Sequence, residues 1–233
     1  NKGDDITPNY RSRLMAREIR RAGEDSIFAP TPPLESLRTV LSMAATDLKG
    51  QAKHVRDPKS ERRTQVQMID ISRAYFNAKI DASKGPTFVE LPEEDPDKAK
   101  GMCGELLVHL YGTRPAAEGW HHEYAGALID MGFAVGAASA CVCRHRERNI
   151  VTTVHGDDFT SAGPKDSLDW FRDQLKAKYE LTEQARLGPG ERDDREAKVL
   201  NRIVRWTSSG LEYEGDPRQG EKVVLDLSLE GAK

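Results

Sequence analysis

Ile150-Val-Thr-Thr-Val-His-Gly-Asp-Asp-Phe-Thr-Ser161 decides how this chain folds. The run Ile150 to Val154 is apolar and β-branched, as strands prefer. His155-Gly-Asp-Asp158 is rich in the residues that make tight turns, and Phe159 to Ser161 then resumes a strand. The stretch therefore predicts a β-hairpin with two adjacent carboxylates, Asp157 and Asp158, at its tip. Neighbouring negative charges repel, and a tip that tolerates them is either fully solvated or suited to a cation.

Outward from the hairpin, Ala140 to His145 predicts a strand paired with Ile150–Val154 across a charged turn. Gly163-Pro164 opens a helix with Leu168, Phe171, Leu175 and Tyr179 in register. Upstream, Pro115 starts a helix whose stripe is Trp120, Tyr124, Ala127, Leu128 and Met131, with Gly132 ending it. Thr31-Pro-Pro opens another, capped by Thr31, with Leu34, Leu37, Leu41, Ala44 and Leu48 on one face. Val66 to Ile69 reads as a short strand ending at Asp70, and Ile71 to Ile80 as a segment turning into a helix. Phe88 to Pro92 and Glu105 to Leu110 are strand candidates. Lys49 to Arg63 reads as a polar connector, and Leu187 to Ala197 as a loop. Val199–Val204 and Leu211–Tyr213 form a hairpin around Ser208-Ser-Gly210, before an amphipathic stretch from Pro217 to Leu229. Mixed strands and helices with hairpins predict an α+β fold, an antiparallel sheet packed on helices.

Composition narrows the class. The 233 residues carry a net charge of −3, and 31% of them are charged, with a mean hydropathy of −0.66. The longest uncharged run, Met131 to Cys143, is shorter than the ~20 residues a membrane-spanning helix needs. No secretion signal is visible, and the first residue is Asn1, so the chain reads as a piece of something longer, intracellular (cytoplasmic or nuclear) and not secreted. Three cysteines give no disulfide framework. Cys141, Cys143 and His145 alternate and would share one face of a strand. Zinc would need a fourth ligand that the local sequence does not offer, so small half-buried side chains are the better reading. Residues 1–66 hold 13 Lys/Arg against 9 Asp/Glu, a weakly basic third suited to a phosphate-bearing partner. His121-His122 reads as helix surface, Lys176–Lys178 as a solvated helix face, and Trp120, Tyr124, Phe133 and Trp170 as core.

Asp70 ends a short apolar strand, so a third carboxylate can meet the hairpin pair at neighbouring strand ends, a donor set for two magnesium ions in a phosphoryl transfer. The words around these acids carry a resemblance. Asp70-Ile-Ser-Arg-Ala-Tyr-Phe76 resembles the first catalytic motif of reverse transcriptases, an Asp followed five positions on by an aromatic. His155-Gly-Asp-Asp158 resembles their Asp-Asp hairpin. Leu110-Tyr-Gly112 with Trp120 beyond it resembles the Leu-Tyr-Gly…Trp element of the copia-type branch. Tyr10-Arg-Ser-Arg-Leu-Met-Ala16, Phe28-Ala-Pro30 with Leu37-Arg38, Phe88-Val-Glu-Leu-Pro92 and Gly132-Phe133 are similar to further blocks of that branch. The matches follow the family's order from about residue 10 to residue 159. Order supplies the context that single motifs lack.

A copia-type retrotransposon reverse transcriptase implies a polymerase palm with fingers. The division expected is a basic fingers-like part over 1–65, a palm over 66–182, and a C-terminal hairpin and connecting helix over 183–233. It further implies Asp70, Asp157 and Asp158 as catalytic residues and metal ligands. Two Mg²⁺ ions, or Mn²⁺ in their place, would be held with help from the backbone carbonyl of Ile71. Arg11 and Arg13 would meet the incoming triphosphate, and Tyr75 would lie beneath its sugar. The implied partners are an RNA template, a DNA primer and a dNTP, with no membrane. The ribonuclease H and integrase segments of a parent Pol polyprotein are expected to be absent. Three positions depart from the family pattern: Pro115 where a Gln is usual, His155 where a Tyr is usual, and Gly156 before the Asp pair. The later Phe-Leu-Gly block is replaced by Val199-Leu-Asn-Arg202. These departures keep open the alternative of a decayed, catalytically inactive fragment that retains nucleic-acid binding.

Overall fold

A computed structural model describes residues 14–19, 22–23, 27–46, 63–81, 83, 85–215 and 217–229. Its elements run in chain order α1 (Leu34–Ala45), β1 (Thr64–Ile71), β2 (Thr87–Glu90), β3 (Cys103–Leu106), α2 (Ala116–Asp130), β4 (Ala134–Val135), β5 (Val142–His145), β6 (Ile150–His155), β7 (Asp158–Pro164), α3 (Lys165–Lys178), β8 (Leu181–Leu187), β9 (Glu196–Val199), β10 (Arg202–Thr207), β11 (Gly210–Gly215) and α4 (Pro217–Asp226). The fold is α+β, and its sheets are antiparallel. No described helix is long and apolar enough to cross a membrane. The chain separates into two compact units: residues 1–30 with 73–127, and residues 31–72 with 128–233.

The second unit is built on a six-stranded sheet in the order β4-β5-β6-β7-β1-β8. β1 lies between β7 and the edge strand β8, and it is longer than the apolar run predicts. Gln65 and Gln67 are as buried as Val66 and Met68, with which they alternate. Alternation sends the two pairs to opposite faces. Val66 and Met68 join Leu37, Val40, Leu41 and Ala44 of α1 in one apolar core, to which Val151, Ala162, Ala185 and Leu187 also contribute. The glutamines face the other way, where polar partners meet both ends of Gln65 and the amide nitrogen of Gln67, whose buried Oε1 has no partner. The Gln65 Nε2 donates to Asp193 (2.7 Å) and its Oε1 accepts from Arg186 (3.1 Å), while the Gln67 Nε2 donates to Glu183 (3.1 Å). Arg186 also reaches Asp169 of α3 at 3.2 Å. Leu168, Phe171 and Leu175 of α3 are fully buried, and the Phe171 ring lies 4.9 Å from that of Phe133, tilted by 45°. A smaller sheet, β11-β10-β9, completes this unit.

Pro33, not Thr31, sits at the N-cap of α1, and no side chain caps it. The segment after β1 makes only a 3₁₀ turn at Ala74–Asn77, entered through Arg73 in the left-handed region (φ 52°). β3 ends at Leu106 rather than Leu110. Trp170 is half-buried, and the Arg148 guanidinium lies 3.8 Å over its ring. The span read as a loop, Leu187 to Ala197, overlaps the start of β9 at Glu196 and Ala197. The connector Lys49–Arg63 lies outside the described residues up to its last member. Cys141 and Cys143 are fully buried, and burial, with Cys141 adding to it, pushes the Cys143 thiol up to about 11. Their full burial is that of packing side chains.

In the first unit, β2 and β3 form a two-stranded sheet. Trp120 and Tyr124 of α2 are buried and pack ring to ring at 5.6 Å.

Candidate active site

The carboxylates meet where three strands of the second unit end. β6 and β7 are joined by Gly156 and Asp157 alone. Gly156 has φ +65°, the requirement of a two-residue hairpin turn that favours glycine at its first central position. The departure at Gly156 is thus what the turn geometry asks for. Asp158 opens β7 and is the direct cross-strand partner of Asp70 on β1 and of His155 on β6. The Ile71 N–H donates to the Asp157 carbonyl at 2.9 Å, which fixes the turn against the end of β1. Ile71 itself is fully buried.

Like charges directly opposite on a sheet destabilise it. The consequence is visible at Asp158. Burial first, then the charges of Asp157 and Asp70, push its carboxyl up to about 6, and His155 draws it part of the way back. A divalent cation among these oxygens would relieve the repulsion, and an all-oxygen donor set suits a hard ion such as Mg²⁺ or Mn²⁺. Among the described residues, no group of three or more metal-ligating side chains converges on one point. The donor chemistry therefore fits a cation, while full ligation needs side-chain adjustment within the cluster.

Gln184, which no sequence motif marks, belongs to the same cluster. Met68 pairs with Ala185 and Ile69 with Glu183, so Gln184 is the extra residue of a β-bulge on β8. Bulges re-aim a side chain next to functional sites. Here the Gln184 Nε2 lies 3.5 Å from an Asp158 oxygen. No sequence signal for this exists, because a bulge is a property of the pairing and not of one strand.

The remaining expected residues are placed separately. Tyr75 belongs to the first unit, half-buried, on the 3₁₀ turn after β1, with its ring 4.5 Å from that of Tyr111. Arg11 and Arg13 lie outside the described residues. Pro115 immediately precedes α2, and its carbonyl accepts from the Gly119 N–H at 2.8 Å.

An antiparallel palm-like sheet presenting an Asp-Asp turn beside a strand-end Asp is the arrangement expected of a polymerase. The chain belongs to the reverse transcriptase (RNA-dependent DNA polymerase) family, whose model matches residues 1–188. It is also similar to the Retrovirus-related Pol polyprotein from transposon TNT 1-94 of Nicotiana tabacum. The two are 23% identical over 242 aligned residues, covering 99% of this chain and 16% of that protein. The chain thus spans about a sixth of that relative's length. Both matches support the copia-type resemblance read from the ordered motifs.

Proposed function

We propose that the chain is the RNA-directed DNA polymerase part of a retrotransposon Pol polyprotein, intracellular, adding dNTPs to a DNA primer on an RNA template. The single observation that carries the reading is the cross-strand pairing of Asp70 with Asp158 beside the Asp157 turn. On this reading residues 66–182 serve as palm, residues 1–65 as a fingers-like part, and residues 183–233 as hairpin and connecting helix.

Asp70 and Asp157 would hold two Mg²⁺ ions, with Asp158 contributing less directly and the Ile71 carbonyl as a further ligand. Such ions, when bound, supply charge stabilisation for the attacking and leaving oxygens of an in-line displacement. The chain's own work is positioning. The hydrogen bond from Ile71 to the turn and the ladder between β1 and β7 hold three carboxylates at one strand edge. Preorganised charge of this kind needs no rearrangement at the moment of reaction. Arg11 and Arg13 would bind the triphosphate through planar, permanently charged guanidinium forks. The primer 3′-hydroxyl attacks the α-phosphate, and pyrophosphate leaves.

A silent palm that only binds nucleic acid is the second reading. The observation favouring it is Pro115, which immediately precedes α2 where the family's Gln is usual. Extension of a DNA primer on RNA, with and without Mg²⁺, separates the two. Asp70→Asn and Asp157→Asn should each lower the rate by at least roughly a hundredfold while leaving the circular dichroism spectrum unchanged. Wild-type rates in either variant would remove that residue from the site.

A further inference from the structure

Within the first unit, the residues around Tyr75 form a built support. The 3₁₀ turn Ala74–Asn77 is closed by the Phe76 N–H donating to the Arg73 carbonyl (2.9 Å) and the Ala78 N–H to the Tyr75 carbonyl (3.1 Å). The chain leaving it is zipped to the segment before Tyr111. The His109 N–H donates to the Ala78 carbonyl at 2.9 Å, the Ile80 N–H to the Leu107 carbonyl at 3.3 Å, and Lys79 bridges Val108. The two aromatic segments are therefore held in fixed register before their side chains meet. Tyr111 then lies with its ring centroid 4.5 Å from Tyr75, tilted by 37°, and 5.6 Å from Phe76, edge-on.

Tyr111 is itself immobilised. Its carbonyl accepts from the Ala16 N–H at 2.7 Å, and the Thr113 N–H and Oγ1 both donate to the Leu110 carbonyl, at 3.1 and 2.7 Å. Gly112 has φ +88°, and a Cβ there would lie 1.9 Å from the Ala16 carbonyl oxygen. Only glycine admits this approach. The Leu110-Tyr-Gly112 turn thus clamps the N-terminal segment by its backbone and backs Tyr75 with the Tyr111 ring.

We infer that Tyr111 is a specificity-determining positioning residue: its ring fixes the plane of Tyr75, and through it the exclusion of the 2′-hydroxyl of a ribonucleoside triphosphate. The inference rests on the reading of Tyr75 as the residue beneath the incoming sugar. Steric selection depends on a surface that does not yield. Tyr75 is half-buried, so one part of its ring is accessible while Tyr111 backs another. Removing the backing ring lets Tyr75 retreat and admits the extra hydroxyl, while a deoxyribose, which never touched the limit, loses little. The Tyr111 hydroxyl plays no part in this account.

The test compares ribo- with deoxynucleotide use by the full chain on an RNA template and DNA primer, in Tyr111→Phe, Tyr111→Leu and Tyr75→Val. A second readout, the dissociation constants of rNTP and dNTP from the complex with a chain-terminated primer, needs no turnover. Tyr111→Phe should keep the wild-type preference. Tyr111→Leu should lower it roughly tenfold, within the ~10²-fold that exclusion of one hydroxyl allows, with dNTP use nearly unchanged. Tyr111→Met, which fills similar space without a ring plane, replaces Tyr111→Leu if that variant does not fold. In a folded variant, a loss of affinity that weakens both nucleotides alike and leaves their ratio untouched overturns the inference. So does a relaxed Tyr75→Val beside unrelaxed Tyr111→Leu and Tyr111→Met, and that result leaves the reading of Tyr75 standing. An unrelaxed Tyr75→Val, or a wild-type chain that forms no nucleotide-dependent complex, overturns both.

Discussion

Asp158 is the residue at which structure and electrostatics disagree most. It sits opposite Asp70, next to Asp157, and partly buried, and its carboxyl is pushed up to about 6 from an ordinary 3.8. The sign of the effect on stability follows from linkage. Between those two values the folded state holds a proton that the unfolded chain has already released. Raising the pH through this window therefore costs the fold stability, and the cost persists at higher pH. In a chelating buffer, Asp158→Asn should melt higher than wild type at about pH 7.5, and the gap should close as the pH falls to about 4. A gap of constant size across that range would mean that the charge of Asp158 is not what strains the turn. The same variant should reduce extension, because stability and ligation make opposite demands on this side chain. His155, the departure from the family's Tyr, is a neighbour that offsets the strain.

At the scale of elements, the sequence is most legible where apolar periodicity is complete. The hairpin β6–β7, the β5–β6 pair, α2 and α3 all lie where the pattern places them. It is least legible where burial is polar. The apolar signal for β1 spans only Val66 to Ile69, because Thr64 and Gln65 before it and Asp70 after it are polar, although the strand continues through them and Gln65 is fully buried. β8 gives no strand signal for the same reason, since Glu183 and Arg186 lie among its apolar residues and bond to partners distant in sequence. Asp70, Asp157 and Asp158 can be picked out because acids at turn and strand ends stand out from apolar neighbours. Gln184 cannot, because only the register of β1 against β8 makes the bulge. Gln184→Ala should lower kcat/KM for extension by roughly 3–10-fold and raise the Mg²⁺ needed for half-maximal rate, as removal of one long hydrogen bond to a charged oxygen warrants. An unchanged Mg²⁺ dependence would leave Gln184 as bulge surface. The polar side of β1 makes a separate prediction. Arg63 pairs with Asp193 through two 3.0 Å hydrogen bonds, and their side chains are only 9% and 5% exposed. Asp193→Ala removes both of these hydrogen bonds to a buried guanidinium and should cost about 3–5 kcal/mol in urea unfolding, whereas replacing both partners with apolar residues should cost far less. Equal losses in the two variants would show that the pair's charge is not the issue.

For the molecule as a whole, charge is distributed unevenly along a nearly neutral chain. The first 66 residues carry the basic excess, and the rest carries the acidic one, including the three carboxylates of the site. A template-primer duplex presents a dense row of phosphates, and each one neutralised by Lys or Arg releases condensed counterions. Binding by this chain should therefore weaken steeply with salt even though its net charge is −3. Arg11 and Arg13 lie in that basic third, three to five residues before Ala16, whose N–H is held by the Tyr111 carbonyl. If both touch phosphate, on the duplex or on the nucleotide, the double variant Arg11→Ala with Arg13→Ala should flatten the slope of log K against log salt by about 2, roughly 1 for each phosphate left without its arginine. A slope lowered with an unchanged KM for dNTP assigns them to the duplex. An unchanged slope with a raised KM assigns them to the triphosphate, since the nucleotide takes no part in the binding assay. If neither quantity moves, both arginines are solvated surface and the basic third binds through other residues.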